Sequence, residues 1–332
     1  MAAACPFADM LAQFLTIYLP VTRACSPNTI SAYRDAFTLF LRFMDKQQAT
    51  SPDKVSFADF TTSNVAAFLG WLRTDRQCST ATANQRLAAL KSFFRYVQAQ
   101  APEQIAQARQ VLGIKAAQAP EPAIGYLPVE AIGVLLEHAT RRGPRDLALL
   151  TTLYDTGARV QEVCDLSIGD LHLGKPASTA LTGKGCKTRI VPLTPQAAQI
   201  LTQHVRTLPH DSSAPVFANR AGQRLGRAGV AYILARCMHA AHAERPELVP
   251  ETISPHVLRH SKAMHLLENG VNLIYIRDIL GHASIVTTEV YAKANPEMKR
   301  QAIEAAAGKT LGPSRYDHAS RKDLLDWLRQ AI

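Results

Sequence analysis

The segment STALTGKGCKTRIVPLT, residues 178–194, carries the clearest β-strand signal in this chain. Two short runs of strand-forming residues flank the glycine turn GKGCK, a pattern typical of a β-hairpin. On both sides of this segment the apolar residues recur at helical spacing instead. The sequence therefore predicts a mainly α-helical protein with one small antiparallel sheet.

Residues 7–100 have the pattern of a helical bundle, with about four helices. One helix is expected to begin with Ser26 as N-cap and Pro27 in its first turn. Its apolar positions recur at helical spacing: Ile30, Tyr33, Phe37, Phe40, Phe43 and Met44. Ser63 and either Ser79 or Thr80 are the expected caps of the next two helices. Three aromatic residues are expected in the core rather than on a surface for stacking bases: Phe93, Phe94 and Tyr96.

A change of composition marks the expected domain boundary. Residues 113–128, GIKAAQAPEPAIGYLP, contain three prolines, which favour an extended, semi-rigid connector. We expect a helical domain over 1–112, a linker over 113–128 and a second domain over 129–310. Residues 311–332 predict an amphipathic tail helix with these residues on one side: Leu324, Leu325, Leu328 and Ile332.

The charge balance narrows the class of partner. The chain has 332 residues, with 37 Lys plus Arg against 27 Asp plus Glu and a formal net charge of +10. Such an excess favours a polyanion, either nucleic acid or an anionic membrane surface. No apolar run is long enough to span a membrane, and the N-terminus lacks the basic region of a signal peptide. The six cysteines are scattered without a CxxC pair, so we expect free thiols in the cytoplasm.

Candidate chemistry is concentrated near residues 254–292. Ser254 is the expected cap of a helix with Pro255 in its first turn, so His256 and Arg259 share one face near the positive end of the helix dipole. The next segments predict a turn that holds one more histidine and a third helix, capped by Ser284, that bears a tyrosine: His282 and Tyr291.

Each of these signals is ambiguous on its own. His256 and His260 are four residues apart, which suits two zinc ligands, but HVLRH lacks the glutamate of the HExxH pattern and no clear third ligand follows. GKGCK lacks the Ser or Thr that a P-loop has after its lysine. A single tyrosine on a helix is more often a core residue than a nucleophile.

Taken together, five segments resemble the ordered signatures of the tyrosine recombinases, the phage-integrase family. They are TGARVQEVCDL (156–166), GKGCKTRIVPL (183–193), HVLRH (256–260), LGH (280–282) and TTEVYA (287–292). The segments TISAYRDAFTLFLRF and NQRLAALKSFFRYV resemble, more loosely, the core-binding domain of that family. The resemblance extends from about residue 7 to about residue 305.

The resemblance implies a catalytic set of six residues: Arg159, Lys184, His256, Arg259, His282 and Tyr291. Lys187 and Arg189 are nearby alternatives for the hairpin lysine, and the match to GKG favours Lys184. Glu162 and His260 correspond to positions that we expect to support these residues rather than to take part in the chemistry.

The implied reaction is attack of the Tyr291 hydroxyl on a DNA phosphodiester. It yields a 3′-phosphotyrosyl linkage and a free 5′ hydroxyl, so strands are rejoined without ATP. Arginine suits the phosphate because guanidinium stays charged and binds phosphate with two hydrogen bonds. We expect Lys184 to protonate the leaving oxygen, His256 to accept the tyrosine proton and His282 to contact the phosphate. No metal or other cofactor is implied.

The implied partner is double-stranded DNA, held between two domains, with self-association into a tetrameric synapse. The tail helix docks on a neighbouring protomer or packs on its own domain. Because the bundle begins near residue 1, no additional arm-binding domain is expected, and a mobile-element integrase is favoured over a Xer-like resolvase of DNA dimers. The rival classes are an accessory DNA-binding protein that does not cut and a type IB topoisomerase.

Overall fold

The computed structural model describes residues 6–119, 125–183, 185–282 and 284–294, together with Arg300 and Glu304. The chain divides into two compact units, Met1–Pro122 and Ala123–Ile332. The predicted tail helix and Lys184 lie outside the described residues. Within these residues, no helix is long and apolar enough to cross a membrane.

The first unit is helical. Its α-helices are α1 (Pro6–Gln13), α2 (Pro27–Gln48), α3 (Thr62–Thr74), α4 (Thr80–Gln100) and α5 (Ile105–Gly113), with a π-helical segment, Phe14–Thr22, after α1. The expected core is confirmed: Phe93 and Phe94 are fully buried, and Tyr96 is 7% exposed. Aromatic rings fill the space between these helices, and Phe40 stacks on Phe60 with ring centroids 4.3 Å apart.

The helix caps of this unit follow the sequence with one exception. The hydroxyl of Ser26 accepts from the N–H of Thr29, and that of Ser79 accepts from the N–H of Thr82. Ser63 was the expected cap of α3, but the helix begins two residues earlier. The Thr61 hydroxyl accepts from the N–H of Asn64 at 3.1 Å and so takes the capping position, which places Ser63 inside the first turn.

The second unit begins with helices α6 (Val129–Arg142), α7 (Pro144–Thr156) and α8 (Val160–Cys164). A three-stranded antiparallel sheet follows, with β1 (Leu171–His172), β2 (Ser178–Thr182) and β3 (Thr188–Pro192) in that order. The remaining helices are α9 (Pro195–Val205), α10 (Arg227–Glu244), α11 (Pro255–Glu268), α12 (Leu273–Leu280) and α13 (Val286–Ala294).

The predicted hairpin is confirmed as β2 and β3, which pair from Ser178 and Pro192 to Thr182 and Thr188. Leu181 and Val191 are buried on the face that packs against the helices. Strand β1 was not expected, because two residues are too short to show the alternation on which strand prediction depends.

Candidate active site

Arg259 lies at the centre of the site and is only 4% exposed. Its Nη1 donates to the carbonyl oxygen of Gly157 at 2.6 Å, and its Nη2 donates to that of Leu280 at 2.7 Å. These carbonyls lie at the C-terminal ends of α7 and α12, where the helix dipole is negative. Burial, and then the charge of Arg159, lower the pKa of Arg259 to about 10, so the guanidinium remains charged at neutral pH.

Arg159 precedes α8 and is held against the residue one turn later. Its backbone N–H donates to Oε2 of Glu162 at 2.9 Å, and its Nη1 donates to Oε1 at 2.9 Å. Nη2 donates to the carbonyl of Gly281 at 3.2 Å. The side chain is 35% exposed. A cation that is fixed on one side and open on the other can bind an incoming anion.

Glu162 connects this arginine to the β-hairpin. It is 4% exposed, and Arg189 of β3 donates to both of its oxygens. Arg189 also donates through Nε to the carbonyl of Ile279 at 2.8 Å. Burial by itself raises the pKa of Glu162, but the hydrogen bonds from Arg189 and Arg159 outweigh it and the pKa is lowered. The carboxylate is therefore ionised and ties β3, α8 and the end of α12 together.

Gly183, the residue before Lys184, lies against this carboxylate. A Cβ atom on Gly183 would lie 2.8 Å from Oε1 of Glu162, closer than real contacts allow. The backbone that leads to Lys184 can approach Glu162 only because this residue has no side chain.

Tyr291 is on α13 and is 3% exposed. Its hydroxyl lies 2.9 Å from Nδ1 of His260, and the ring of His282 stacks on its ring with centroids 6.4 Å apart. Burial raises the pKa of Tyr291, although the charges of Arg259 and Arg159 oppose this effect. The phenol is therefore neutral at rest, and the charges of these two arginines favour the phenolate.

The other two predicted histidines occupy different environments. His256 is exposed at the start of α11, and its pKa is lowered by partial burial of the ring and by Arg259 and Arg159. His282 follows α12, and its Nδ1 lies 2.9 Å from the Thr288 hydroxyl. Burial and the nearby arginines lower the pKa of His282 to about 4, so its ring is neutral near pH 7.

Two local expectations differ in the structure. Ser254 occupies the N-cap position of α11, but its side chain accepts no hydrogen bond from the first turn. Its carbonyl accepts from the N–H of Val257 at 2.9 Å instead. We expected His256 to accept the proton of Tyr291, and among the described residues that hydroxyl is hydrogen-bonded to Nδ1 of His260 instead.

The structure brings together, by electrostatic interaction, the predicted site residues that it describes: Arg159, His256, Arg259, His282 and Tyr291. Arg259 alters the pKa of three of them: His256, His282 and Tyr291. Sequence reasoning gave Arg189 only as an alternative to Lys184, and it missed this residue as the partner of Glu162. Across the described ranges, no group of three or more His, Cys, Asp or Glu side chains is placed to hold a metal ion.

Comparison with known proteins gives a consistent match over both units. Residues 126–298 match the model of the Phage integrase family, and residues 11–101 match the Phage integrase N-terminal SAM-like domain. The tyrosine recombinase XerD of Listeria innocua is 34% identical over 290 residues, 85% of this chain and 93% of the relative. A Sinorhizobium fredii protein named as an integrase/recombinase, y4rC, is 33% identical over 306 residues, 91% of each chain.

Two solved structures share the fold. The XerH site-specific recombinase bound to difH substrate has a TM-score of 0.65 at 24% identity, covering 86% of this chain and 81% of that one. The Tn1549 transposon integrase in complex with transposon right end DNA has a TM-score of 0.67 at 16% identity, covering 88% of this chain and 98% of that one.

Proposed function

Because this chain belongs to the tyrosine recombinase (phage integrase) family, we propose that it cuts and rejoins double-stranded DNA at specific sites through a 3′-phosphotyrosyl intermediate. The observation that carries the proposal is the position of Tyr291. Its hydroxyl is hydrogen-bonded to a histidine and lies in the field of Arg259 and Arg159, which supplies both a proton acceptor and positive charge.

The two arginines bind the scissile phosphate in this proposal. Guanidinium groups stabilise the charge that develops on the non-bridging oxygens, and they act best when they are held in place before the substrate arrives. Arg259 is fixed by two carbonyls and Arg159 by Glu162, so little reorganisation is needed. The Tyr291 oxygen forms a bond to phosphorus while the bond from phosphorus to the 5′ oxygen breaks.

Lys184 supplies the proton to the leaving 5′ oxygen. In the sequence it directly follows Gly183, which lies against the carboxylate of Glu162 that Arg189 and Arg159 hold. His256 and His282 contact the phosphate: His256 is exposed at the N-terminus of α11, where anions are favoured, and His282 is neutral and able to donate a hydrogen bond.

DNA is the substrate that the charge and the relatives support. The net charge is +10, and the XerH and Tn1549 structures are complexes with DNA. We propose that protomers assemble as a tetramer on two DNA sites and that the chain serves a mobile element. The XerD and XerC relatives favour a second role, resolution of DNA dimers. A plasmid assay that scores integration and excision against conversion of dimers to monomers separates the two roles.

The test of the reaction is covalent capture. Nicked suicide duplexes, selected from host DNA for tight binding, are incubated in EDTA with wild type, Tyr291→Phe and a matched control, Tyr275→Phe. Tyr275 is a neighbouring tyrosine on α12 that is 66% exposed. We expect a covalent protein–DNA band with wild type and Tyr275→Phe but not with Tyr291→Phe. Tight binding without a band from wild type would instead support the non-cutting accessory protein.

A further inference from the structure

We propose that His260 is the general base of strand cleavage, taking the proton of the Tyr291 hydroxyl on Nδ1 as the phenol oxygen attacks phosphorus. The inference rests on the proposed function and adds to it a catalytic residue that contacts the reacting oxygen. The distance from Nδ1 to that oxygen is 2.9 Å, within the range that direct proton transfer requires.

The position of His260 on its helix explains why it is suited to this role and His256 is not. The two are four residues apart on α11, so they lie on one face, one turn from each other. His256 is at the exposed start of the helix, whereas His260 is half-buried one turn further in, where α13 packs. The ring centroids of His260 and Tyr291 are 5.7 Å apart. Among the described residues, no hydrogen bond joins His256 to the Tyr291 hydroxyl.

The role of base requires one particular tautomer of His260. Nδ1 can accept a proton only when the proton of the neutral ring is on Nε2, and the Tyr291 O–H then donates to Nδ1. Within the described residues Nε2 makes no hydrogen bond that would fix the opposite tautomer. The geometry is therefore compatible with a base that is ready before the substrate binds.

The charges around the pair keep the proton on the tyrosine until DNA binds. The groups that face His260 are His256 and Arg259 on α11, Tyr291 on α13 and His282 after α12. Burial, then His256 and Arg259, lower the pKa of His260, and burial raises that of Tyr291. A bound phosphodiester brings negative charge, which raises the proton affinity of the imidazole.

The proton balance of the step is complete. The Tyr291 oxygen bonds to phosphorus, its proton passes to His260 and the 5′ oxygen leaves with a proton from another group, which we assign to Lys184. His260 is then an imidazolium. When the strand is rejoined, His260 returns its proton to the tyrosine, so the enzyme ends in its starting state.

The experiment compares His260→Asn with His265→Asn. Asparagine can accept a hydrogen bond but cannot act as a base near neutral pH. His265, on the same helix, bonds the Tyr154 hydroxyl through Nδ1 at 2.9 Å, so His265→Asn removes an equivalent His–Tyr contact away from the site. Single-turnover formation of the covalent adduct is measured from about pH 5.5 to about pH 9.5, with DNA affinity and melting temperature recorded for each variant.

We expect His260→Asn to bind DNA normally and to form adduct about 10²–10⁴-fold more slowly at neutral pH. Its rate should keep rising with hydroxide concentration at alkaline pH, where the wild-type rate no longer changes with pH. His265→Asn keeps the wild-type pH profile. A 5′-bridging phosphorothiolate duplex has a sulfur leaving group that needs no proton. We expect it to restore the rate of adduct formation in Lys184→Ala but not in His260→Asn.

Three results overturn the inference. They are a wild-type rate for His260→Asn, a slower rate with an unchanged pH profile, and rescue of His260→Asn by the phosphorothiolate. The second result would make His260 a positioning residue, and the third would place it on the leaving group. Failure of the proposed function is distinguishable, because the wild-type protein would then form no adduct at all.

Discussion

Arg189 and Glu162 form a two-armed ion pair in which Nη1 lies 3.0 Å from Oε1 and Nη2 lies 2.7 Å from Oε2. The pair is buried, and the same carboxylate also accepts two hydrogen bonds from Arg159. The contact therefore joins the hairpin, which leads to Lys184, to an arginine of the phosphate site. In the proposed site, Arg189 therefore acts by holding Glu162 and the end of α12 in place.

Replacement of Arg189 by lysine should weaken both stability and cleavage. One ammonium group cannot satisfy both carboxylate oxygens and the carbonyl of Ile279. We expect Arg189→Lys to lower the free energy of unfolding by about 1–3 kcal/mol, measured by urea denaturation. Arg245→Lys is the matched control, because the Arg245–Glu247 pair is exposed and a surface pair contributes about 0–1 kcal/mol. Equal losses in the two variants would contradict the role of the buried pair.

Arg259→Lys should be slow in cleavage even though charge is conserved. A lysine cannot donate to the carbonyls of Gly157 and Leu280 and also present a flat donor pair to phosphate. We expect the single-turnover rate to fall about 10²–10³-fold, as for removal of an oxyanion-hole donor. Arg277→Lys, at a partly exposed arginine of α12 paired with its neighbour Asp278, serves as the control and should react at the wild-type rate. A normal rate for Arg259→Lys would show that charge alone is enough.

Gly281→Ala should disturb the site more than Gly270→Ala. Both glycines have positive φ, 65° and 76°, so alanine is strained at either position. A Cβ on Gly281 would lie 2.9 Å from Nη1 of Arg189, whereas a Cβ on Gly270 meets nothing within 4 Å. Both variants carry the backbone strain, and only Gly281→Ala also displaces Arg189. The difference between their rates of adduct formation therefore measures the effect of displacing Arg189. We expect only Gly281→Ala to lose activity, and similar activity in both would contradict the steric account.

Acid should destabilise the protein through His282. Its pKa is about 4 in the folded state and about 6.5 when unfolded, so the unfolded chain binds more protons between these values. The contribution of His282 to the free energy of unfolding is therefore fully present above about pH 6.5 and is lost as the pH falls toward about 4. The loss is about 2 kcal/mol at about pH 5. We expect urea denaturation above about pH 6.5 and at about pH 5 to show that the free energy of unfolding falls less in His282→Asn than in wild type. An equal loss in the two proteins would contradict the shifted pKa.

The elements that follow local rules were predictable from the sequence. The helix caps at Ser26 and Ser79 and the hairpin between Ser178 and Pro192 depend on residues close together in the chain, where spacing and turn chemistry carry the information. The family resemblance supplied the candidate site: hydropathy alone would place Tyr291 in an ordinary core and Arg259 on the surface.

The contacts that the sequence did not predict depend on packing between distant segments. His256 and His260 share one helix face, and only the packing of α13 against α11 decides which of them meets Tyr291. The partner of Glu162 is Arg189, 27 residues away on a strand, and no local pattern specifies that pairing. The carbonyls that hold Arg259 belong to two helix ends, so their role appears only in the folded unit.

The most direct test of the central claim is to locate the covalent bond to DNA. The wild-type adduct on a suicide duplex is digested with nuclease and trypsin, and the modified peptide is sequenced by mass spectrometry. Residues 278–293, DILGHASIVTTEVYAK, form one tryptic peptide whose only tyrosine is Tyr291. We predict a nucleotide 3′-phosphate on that tyrosine. A nucleotide on residues 263–277, which contain Tyr275, or on any other peptide would contradict the assignment of the nucleophile.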